Sequence, residues 1–235
     1  MINVETNIAV TVLITFSGDV LAAAYTFFIL KTPLFDKLII LRTRIALADD
    51  KRLKLKALRK QARLTLANVF FFKPLFIVVG LYLTRSFISL TFDRPWKILL
   101  DIVLISVISD SCFYFMHGWM HQNKFLFKKI HKLHHCAIRP LPIDYMYEHP
   151  LEILIENSGT FLGIMILGHV SCLTLWIYGA VRVVHAVQVH SGIRFTRWPN
   201  YVMSGTEEHD LHHFRLNGNY AFIFHLYDRI FRSTL

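Results

Sequence analysis

The long apolar stretches set the strongest limit on what this chain can fold into. Ile8 to Leu30, taken as a helix rising ~1.5 Å per residue, is long enough to cross a ~30 Å hydrocarbon layer. A second stretch runs from about Val69 to Leu90, broken by Lys73 and Pro74, and a third from about Ile98 to Met116. Each crosses once if long polar side chains reach back to the interface. Leu151 to Val187 is nearly continuous, interrupted by "LGHVS" around His169, and at roughly twice the length of one crossing it predicts a hairpin of two short arms. The expected fold class is an all-α integral membrane protein of about four to five transmembrane helices, including a C-terminal hairpin. Asp19, inside the first stretch, is expected to face protein or a polar cavity rather than lipid. That stretch also lacks the basic leader and small-residue cleavage site of a signal peptide.

Charge and composition agree with this reading. Hydrophobic residues make up 54% of the chain and charged residues only 18%, so the net charge of +10 does not cover a polar surface of the kind that binds nucleic acid. It is concentrated: from residue 31 to 68 there are eleven Lys or Arg against three Asp, the pattern of a basic cytoplasmic loop facing anionic headgroups. Within that loop "DDKRLKLKALRKQAR" (49 to 63) reads as a basic amphipathic surface helix or a solvated loop. Cys112, Cys136 and Cys172 are isolated and odd in number, which implies no disulfide framework. With no repeat and no low-complexity linker, residues 1–235 are expected to form a single domain, too short to hold a reductase domain as well.

If the basic loop is cytoplasmic, the second apolar segment leaves that side and the third returns to it. The hairpin adds an even number of crossings. Three histidine groups, "HGWMH" (117 to 121), "HKLHH" (131 to 135) and "HDLHH" (209 to 213), together with His190, then all reach the same face. His117 and His121 are four apart and share one side of a helix. His131, His134 and His135, like His209, His212 and His213, have the i, i+3, i+4 spacing of a compact imidazole fan.

Imidazole suits several transition metals, so ligand type alone leaves the metal open. Nine well-placed histidines exceed the roughly four ligands of an ordinary zinc site and fit two metals better. At a membrane surface, with no haem or flavin motif, two redox metals point to oxygen chemistry on a lipid C–H bond. Asp110, Tyr114, His117 and His121 form one helical stripe, on which Asp110 either orients an imidazole through its second nitrogen or serves as a helix cap. Glu148, His149, Glu152 and Glu156 are read either as buried support for the site or as a wet helix start.

The ordered set "HGWMH", "HKLHH", "HSG", "HDLHH" resembles the fatty acid hydroxylase and sterol desaturase superfamily of membrane di-iron enzymes. The flanking "YEHPLE", "LWIYGAVRVVHAVQVHSG" and "HDLHHFRLNGNYAFIFHLYDRIFRST" are most similar to the C4-methylsterol monooxygenases within it. The likeness covers residues 110–235, the histidine-box catalytic region, and implies a cytoplasmic-face, histidine-rich helical cap. It implies that His117, His121, His131, His134, His135, His190, His209, His212 and His213 surround two iron ions, with Asp210 tying down a neighbouring imidazole. Gln188 departs from the acidic residue usual two positions before the "HSG" histidine. His185 stands five before His190, where some lipid hydroxylases have a ligand four before, and is read as either a tenth metal ligand or a hydrogen-bonded histidine lining the cavity.

The function expected is O2-dependent oxidation of a lipid C–H group at two Fe ions, with the C4 methyl of a sterol favoured. The alternatives are a fatty acyl, sphingolipid or alkylglycerol hydroxylase or desaturase, and a metal-binding membrane protein without catalysis. The chain has no glycine-rich dinucleotide motif, so electrons are expected from NAD(P)H through an external reductase and a cytochrome b5-like carrier, within a lipid-enzyme complex or alone. The membrane is expected to be that of the endoplasmic reticulum in a eukaryote or the inner membrane in a bacterium, with the active site toward the cytoplasm. Tags in the 31 to 68 loop, after His135 and at the C-terminus are all expected to report the cytoplasmic side. A protease-protection assay in which one of them reports the opposite side breaks the common-face argument.

Overall fold

The computed structural model describes residues 2–31, 61–138, 140–193 and 202–235. Most of the basic 31 to 68 loop, including the greater part of the 49 to 63 segment, lies outside the described residues. Among those described, five helices are long and apolar enough to cross a membrane: α1 (Val4–Lys31), α2 (Gln61–Leu83), α3 (Pro95–Gln122), α5 (Pro150–Leu167) and α6 (Cys172–Val189). A short α4 (Lys124–Lys129) follows α3, and α7 (Thr206–Arg215) and α8 (Leu226–Ile230) close the chain. The protein is an all-α integral membrane protein. Helices suit that setting because they satisfy every interior backbone N–H and C=O within the segment.

Local sequence sets the ends of these helices. Pro95 and Pro150 occupy first-turn positions of α3 and α5, where a missing N–H costs nothing. Gly168, at φ 70°, ends α5 in the left-handed conformation that glycine adopts without strain. Ser171 starts α6 by accepting from Thr174 N at 3.2 Å. The only strands among the described residues, β1 (Ile88–Ser89) and β2 (Val170–Ser171), pair in parallel and join the α2–α3 connection to the α5–α6 connection. They fasten one end of the bundle; the histidines gather at the other.

Helix packing follows small residues. α5 lies against α3 through Gly159 and Gly163, a small-xxx-small pair that lets the two backbones approach. Ile77, Leu81, Ile105, Ile164, Leu175 and Tyr178 form the apolar centre where α2, α3, α5 and α6 meet. α1 packs on α6 and α2. Its Asp19, 2% exposed, pairs with Lys73 Nζ at 2.6 Å and with the Tyr145 hydroxyl, so the acid faces protein as expected. One wide turn at Asn68–Phe72 loosens α2 and aims Asn68 Nδ2 at Met146 O (2.8 Å) and Glu148 O (2.9 Å). This fastens the loop that leads into α5.

The two glycines of α5 differ in what they tolerate. A Cβ at Gly159 lies 2.9 Å from Ser109 Cα and 3.0 Å from Ser109 O, backbone atoms that cannot swing away, whereas a Cβ at Gly163 meets nothing closer than 3.5 Å. Gly159→Ala is expected to cost about 1–3 kcal/mol by overpacking, read as a lowered thermal midpoint in detergent. Gly163→Ala should leave the midpoint within error. Equal tolerance at both positions contradicts this packing.

Candidate metal centre

Four elements deliver the histidines. The last turns of α3 carry His117 and His121, a tight 3₁₀ turn at His131–Cys136 carries the second group, α6 ends at His190, and α7 carries the third. The second group is therefore a 3₁₀ turn where the spacing suggested an α-helical fan. Nine side chains converge in two sets: His117, His121, His131, His135 and His212 in one, and His134, His190, His209 and His213 in the other. Each HxxHH motif divides between both. His131 and His135 join the first set while His134 joins the second, and His209 and His213 join the second while His212 joins the first.

The ring nitrogens make a case for metal by their crowding. His131 Nε2 lies 3.1 Å from His117 Nε2, 2.8 Å from His121 Nε2 and 2.8 Å from His135 Nε2. In the other set His209 Nε2 is 2.9 Å from His190 Nε2 and 3.0 Å from His213 Nε2. A ring nitrogen holds one proton or one lone pair, so a single Nε2 cannot hydrogen-bond three others at once. His212 Nε2, on a side chain fully removed from solvent, has no hydrogen-bond partner among the described residues. Converging lone pairs with no proton donor among them are the donor set of a bound cation, and all-imidazole sets of this size suit iron, zinc or copper.

The opposite ring nitrogens point the same way. His117 Nδ1 donates to Tyr220 O (2.8 Å), His190 Nδ1 to Ala186 O (2.8 Å), His212 Nδ1 to Gly218 O (2.7 Å) and His213 Nδ1 to Ala137 O (3.0 Å). His131 Nδ1 meets Glu152 Oε1 at 2.6 Å in a fully buried pair. Each bond places the proton on Nδ1 and leaves the Nε2 lone pair facing inward. Burial holds His131 down at about 3 and His212 at about 3. It holds His190 at about 4, with His185 and His212 adding to the effect, so the three rings are neutral at pH 7 and free to ligate.

A hydrogen-bonded segment, Tyr220–Phe224, braces the site from behind. Asp228 accepts from Tyr220 N (2.8 Å) and Ala221 N (3.0 Å), and Asp110 accepts from Ile223 N (2.8 Å) and Phe224 N (2.7 Å). Asp110 thus caps backbone rather than touching an imidazole. It sits two helical turns, ~10 Å, before His117, and the buried amides opposite it need an acceptor. His185 Nε2 donates to Phe222 O of the same segment at 2.7 Å and belongs to neither histidine set, the arrangement of a bracing histidine. Asp210, 1% exposed on α7, also lies outside both sets.

Sequence reasoning did not single out Asp228. It noted Glu152 only as one of a dense group of polar residues, because nothing in the chain indicates which distant ring each would meet. Glu148 and Glu152 come close to His134, their ligand atoms within 4.8 Å of one another. Burial first, then the Glu156 and Glu152 carboxyls, holds Glu148 well above the usual carboxylate range.

Apolar helices carrying two imidazole sets at one end define a class: membrane proteins built around a histidine metal centre. The family model described as fatty acid hydroxylase matches residues 102–233, more than half of the chain, and the chain belongs to that family. It is 36% identical over 174 residues to methylsterol monooxygenase 1 of Rattus norvegicus, covering 70% of this chain and 58% of the relative. To methylsterol monooxygenase 1 of Gallus gallus it is 33% identical, covering 68% and 56%. To the very-long-chain aldehyde decarbonylase GL1-11 of Oryza sativa subsp. indica it is 32% identical, covering 66% and 61%. The chain therefore spans less than two thirds of the length of these relatives. No solved structure gives a significant match.

Metal analysis separates the two sets. His190→Ala is expected to remove most of one metal equivalent while the other stays, and Glu152→Gln to weaken metal binding about 10–100-fold by releasing His131. His225→Ala, outside both sets, should leave metal content unchanged. Full metal loading in the His190 variant defeats the two-set assignment.

Proposed function

We propose that this protein is a di-iron membrane oxygenase that oxidises a C–H group of a lipid with O2, acting on the C4 methyl of a sterol. The observation that carries this reading is the cavity: His131, His134, His190 and His209 form one end of it, and it runs between α1, α2, α5 and α6 into the apolar centre at Ile77, Leu81 and Ile164. A lipid can lie along the helices with one carbon at the metal end.

Two iron ions held by the nine imidazoles would supply the dioxygen activation and C–H oxidation that no side chain can perform. The chain's own part is placement. The Nδ1 bonds fix His117, His131, His190, His212 and His213, the Gly218–Phe224 segment keeps α3, α6 and α7 in register, and the cavity walls hold the substrate while excluding water. Product choice then depends on which C–H lies nearest the metals.

The sterol reading is supported by the names of the methylsterol monooxygenase relatives and by the cavity's uneven wall. Glu148, Lys73 and Tyr145 line it near the histidines, with Glu156 and Arg182 beyond them, and aliphatic residues line the far part. A sterol has the same asymmetry: the carbon bearing the C4 methyl neighbours the carbon bearing the hydroxyl, and the rest is hydrocarbon. A mid-chain carbon of a fatty acyl group would bring hydrocarbon against the charged part. α5 and α6 are read as a membrane hairpin and the histidine end as cytoplasmic, in the endoplasmic reticulum or a bacterial inner membrane. NAD(P)H would supply electrons through a separate reductase and a cytochrome b5-like carrier.

The test is reconstitution in nanodiscs. About two irons per chain are expected, with no nicotinamide consumed by the protein alone. After addition of reductase, carrier, NADH and oxygen, a 4-methylsterol should proceed through an alcohol toward a carboxylate. Unchanged sterol with oxidised acyl lipids moves the assignment to the fatty-lipid branch, and tight zinc without any product moves it to a non-catalytic metal protein.

A further inference from the structure

Beyond Glu148 and Glu152, which approach His134, the charged wall beside the metal centre belongs to no group that could hold a metal among the described residues. Its cations are already engaged. Lys73 Nζ bonds Asp19 Oδ1 (2.6 Å) and the Tyr145 hydroxyl (3.1 Å). Arg182 is held from two helices, its Nη1 donating to Thr160 Oγ1 (3.1 Å) and the Tyr178 hydroxyl (3.2 Å) and its Nη2 to Glu156 O (3.0 Å). The amide of Asn157 donates to Ile153 O at 2.7 Å.

Two carboxyls on the same wall are left over. Glu148, only 3% exposed, lines the cavity, and its Oε2 has no hydrogen-bond partner among the described residues. Glu156 lines it as well, and no hydrogen bond from the described residues reaches its carboxyl. Its backbone is pinned by Arg182, and the guanidinium stays close enough to act on the carboxyl electrostatically. A carboxyl group taken from water without a hydrogen bond is costly, and the cost is removed when a ligand supplies the donor.

Position sets the chemistry of that ligand. Glu156 lies one turn, ~6 Å along α5, from Glu152, whose Oε1 touches His131. A group bound there is therefore close to the metal end but not on it. The carboxyl oxygens offer acceptors and the neighbouring cations are committed elsewhere, so the wall suits a hydroxyl.

Building on the sterol reading above, we infer that Glu156, with Glu148 beside it, forms a hydroxyl-recognition subsite that accepts a hydrogen bond from an alcohol on the carbon neighbouring the one oxidised. This subsite sets specificity by anchoring the substrate's alcohol so that the neighbouring methyl is the group presented to the metals. An acyl chain lacking such an alcohol leaves the carboxyls unpaired and binds less well.

The probe is a tritiated 4-methylsterol and its 3-methyl ether, which keeps the shape and removes the donor. Equilibrium binding to the detergent-purified holoprotein is expected to favour the alcohol by about tenfold, the effect of one hydrogen bond to a carboxyl oxygen that otherwise has no donor. Glu156→Leu should abolish that preference while binding the ether as the parent does, and Glu156→Gln, which keeps an acceptor oxygen, should restore part of it. Unchanged thermal midpoint and metal content, with the ether affinity, report that the variants are folded. A preference that survives Glu156→Leu, or is absent from the parent, overturns the subsite and leaves the sterol reading standing. No saturable binding of either sterol removes the reading and the subsite together.

Discussion

Nine imidazoles, eight of them buried, with ring nitrogens about 3 Å apart, are the constraint on which the rest of this structure depends. Neutral rings at that spacing cannot satisfy one another, and protonated rings would repel. A bound cation resolves both difficulties. The demand then passes outward: an Nδ1 bonded to an acceptor turns its Nε2 inward, and some of those acceptors come from segments far away in sequence. Tyr220 O serves His117 across 103 positions and Ala137 O serves His213 across 76.

That requirement explains why so much polar structure is buried beside apolar helices. Asp110 and Asp228 face backbone amides, not metal ligands, because the Tyr220–Phe224 segment must be rigid for its carbonyls to hold His117 and His185. Lys73 and Asp19 neutralise each other between α2 and α1, and through Tyr145 they connect those helices to the loop that leads into α5. A lone charge in such surroundings would be prohibitive; paired and hydrogen-bonded, it costs much less and ties three segments together.

The bundle and the cavity are complementary results of the same packing. α3 and α5 press close through Gly159 and Gly163, while α5 and α6 leave room between them that the cavity occupies. Its apolar far end needs nothing from its walls. Near the histidines the walls turn polar, with Glu148, Glu156, Lys73 and Arg182 lining that part of the space.

Much of this was legible in the chain. Apolar length alone marked the membrane helices, since their spans are a matter of rise per residue, although α3 extends six residues past the Met116 expected from hydropathy because the histidine turns continue the helix beyond the apolar run. The i, i+3, i+4 spacing marked nine histidines as a group, and the acid in α1 was expected to face protein because lipid cannot solvate it. The division of those histidines was not legible. Spacing puts His131, His134 and His135 on one turn, but their separation into two sets is decided by which rings from α3, α6 and α7 arrive opposite them. The role of Asp228 escaped, and Asp110, Glu152 and His185 each admit two readings in the sequence, for the same reason, since a carboxylate or an imidazole carries no mark of the partner it will meet. Residue type and period determine the elements and the kind of chemistry they can carry, because both are local properties. Only the tertiary structure decides the partners, because a hydrogen bond or a metal set needs atoms within about 3 Å that the chain holds a hundred residues apart.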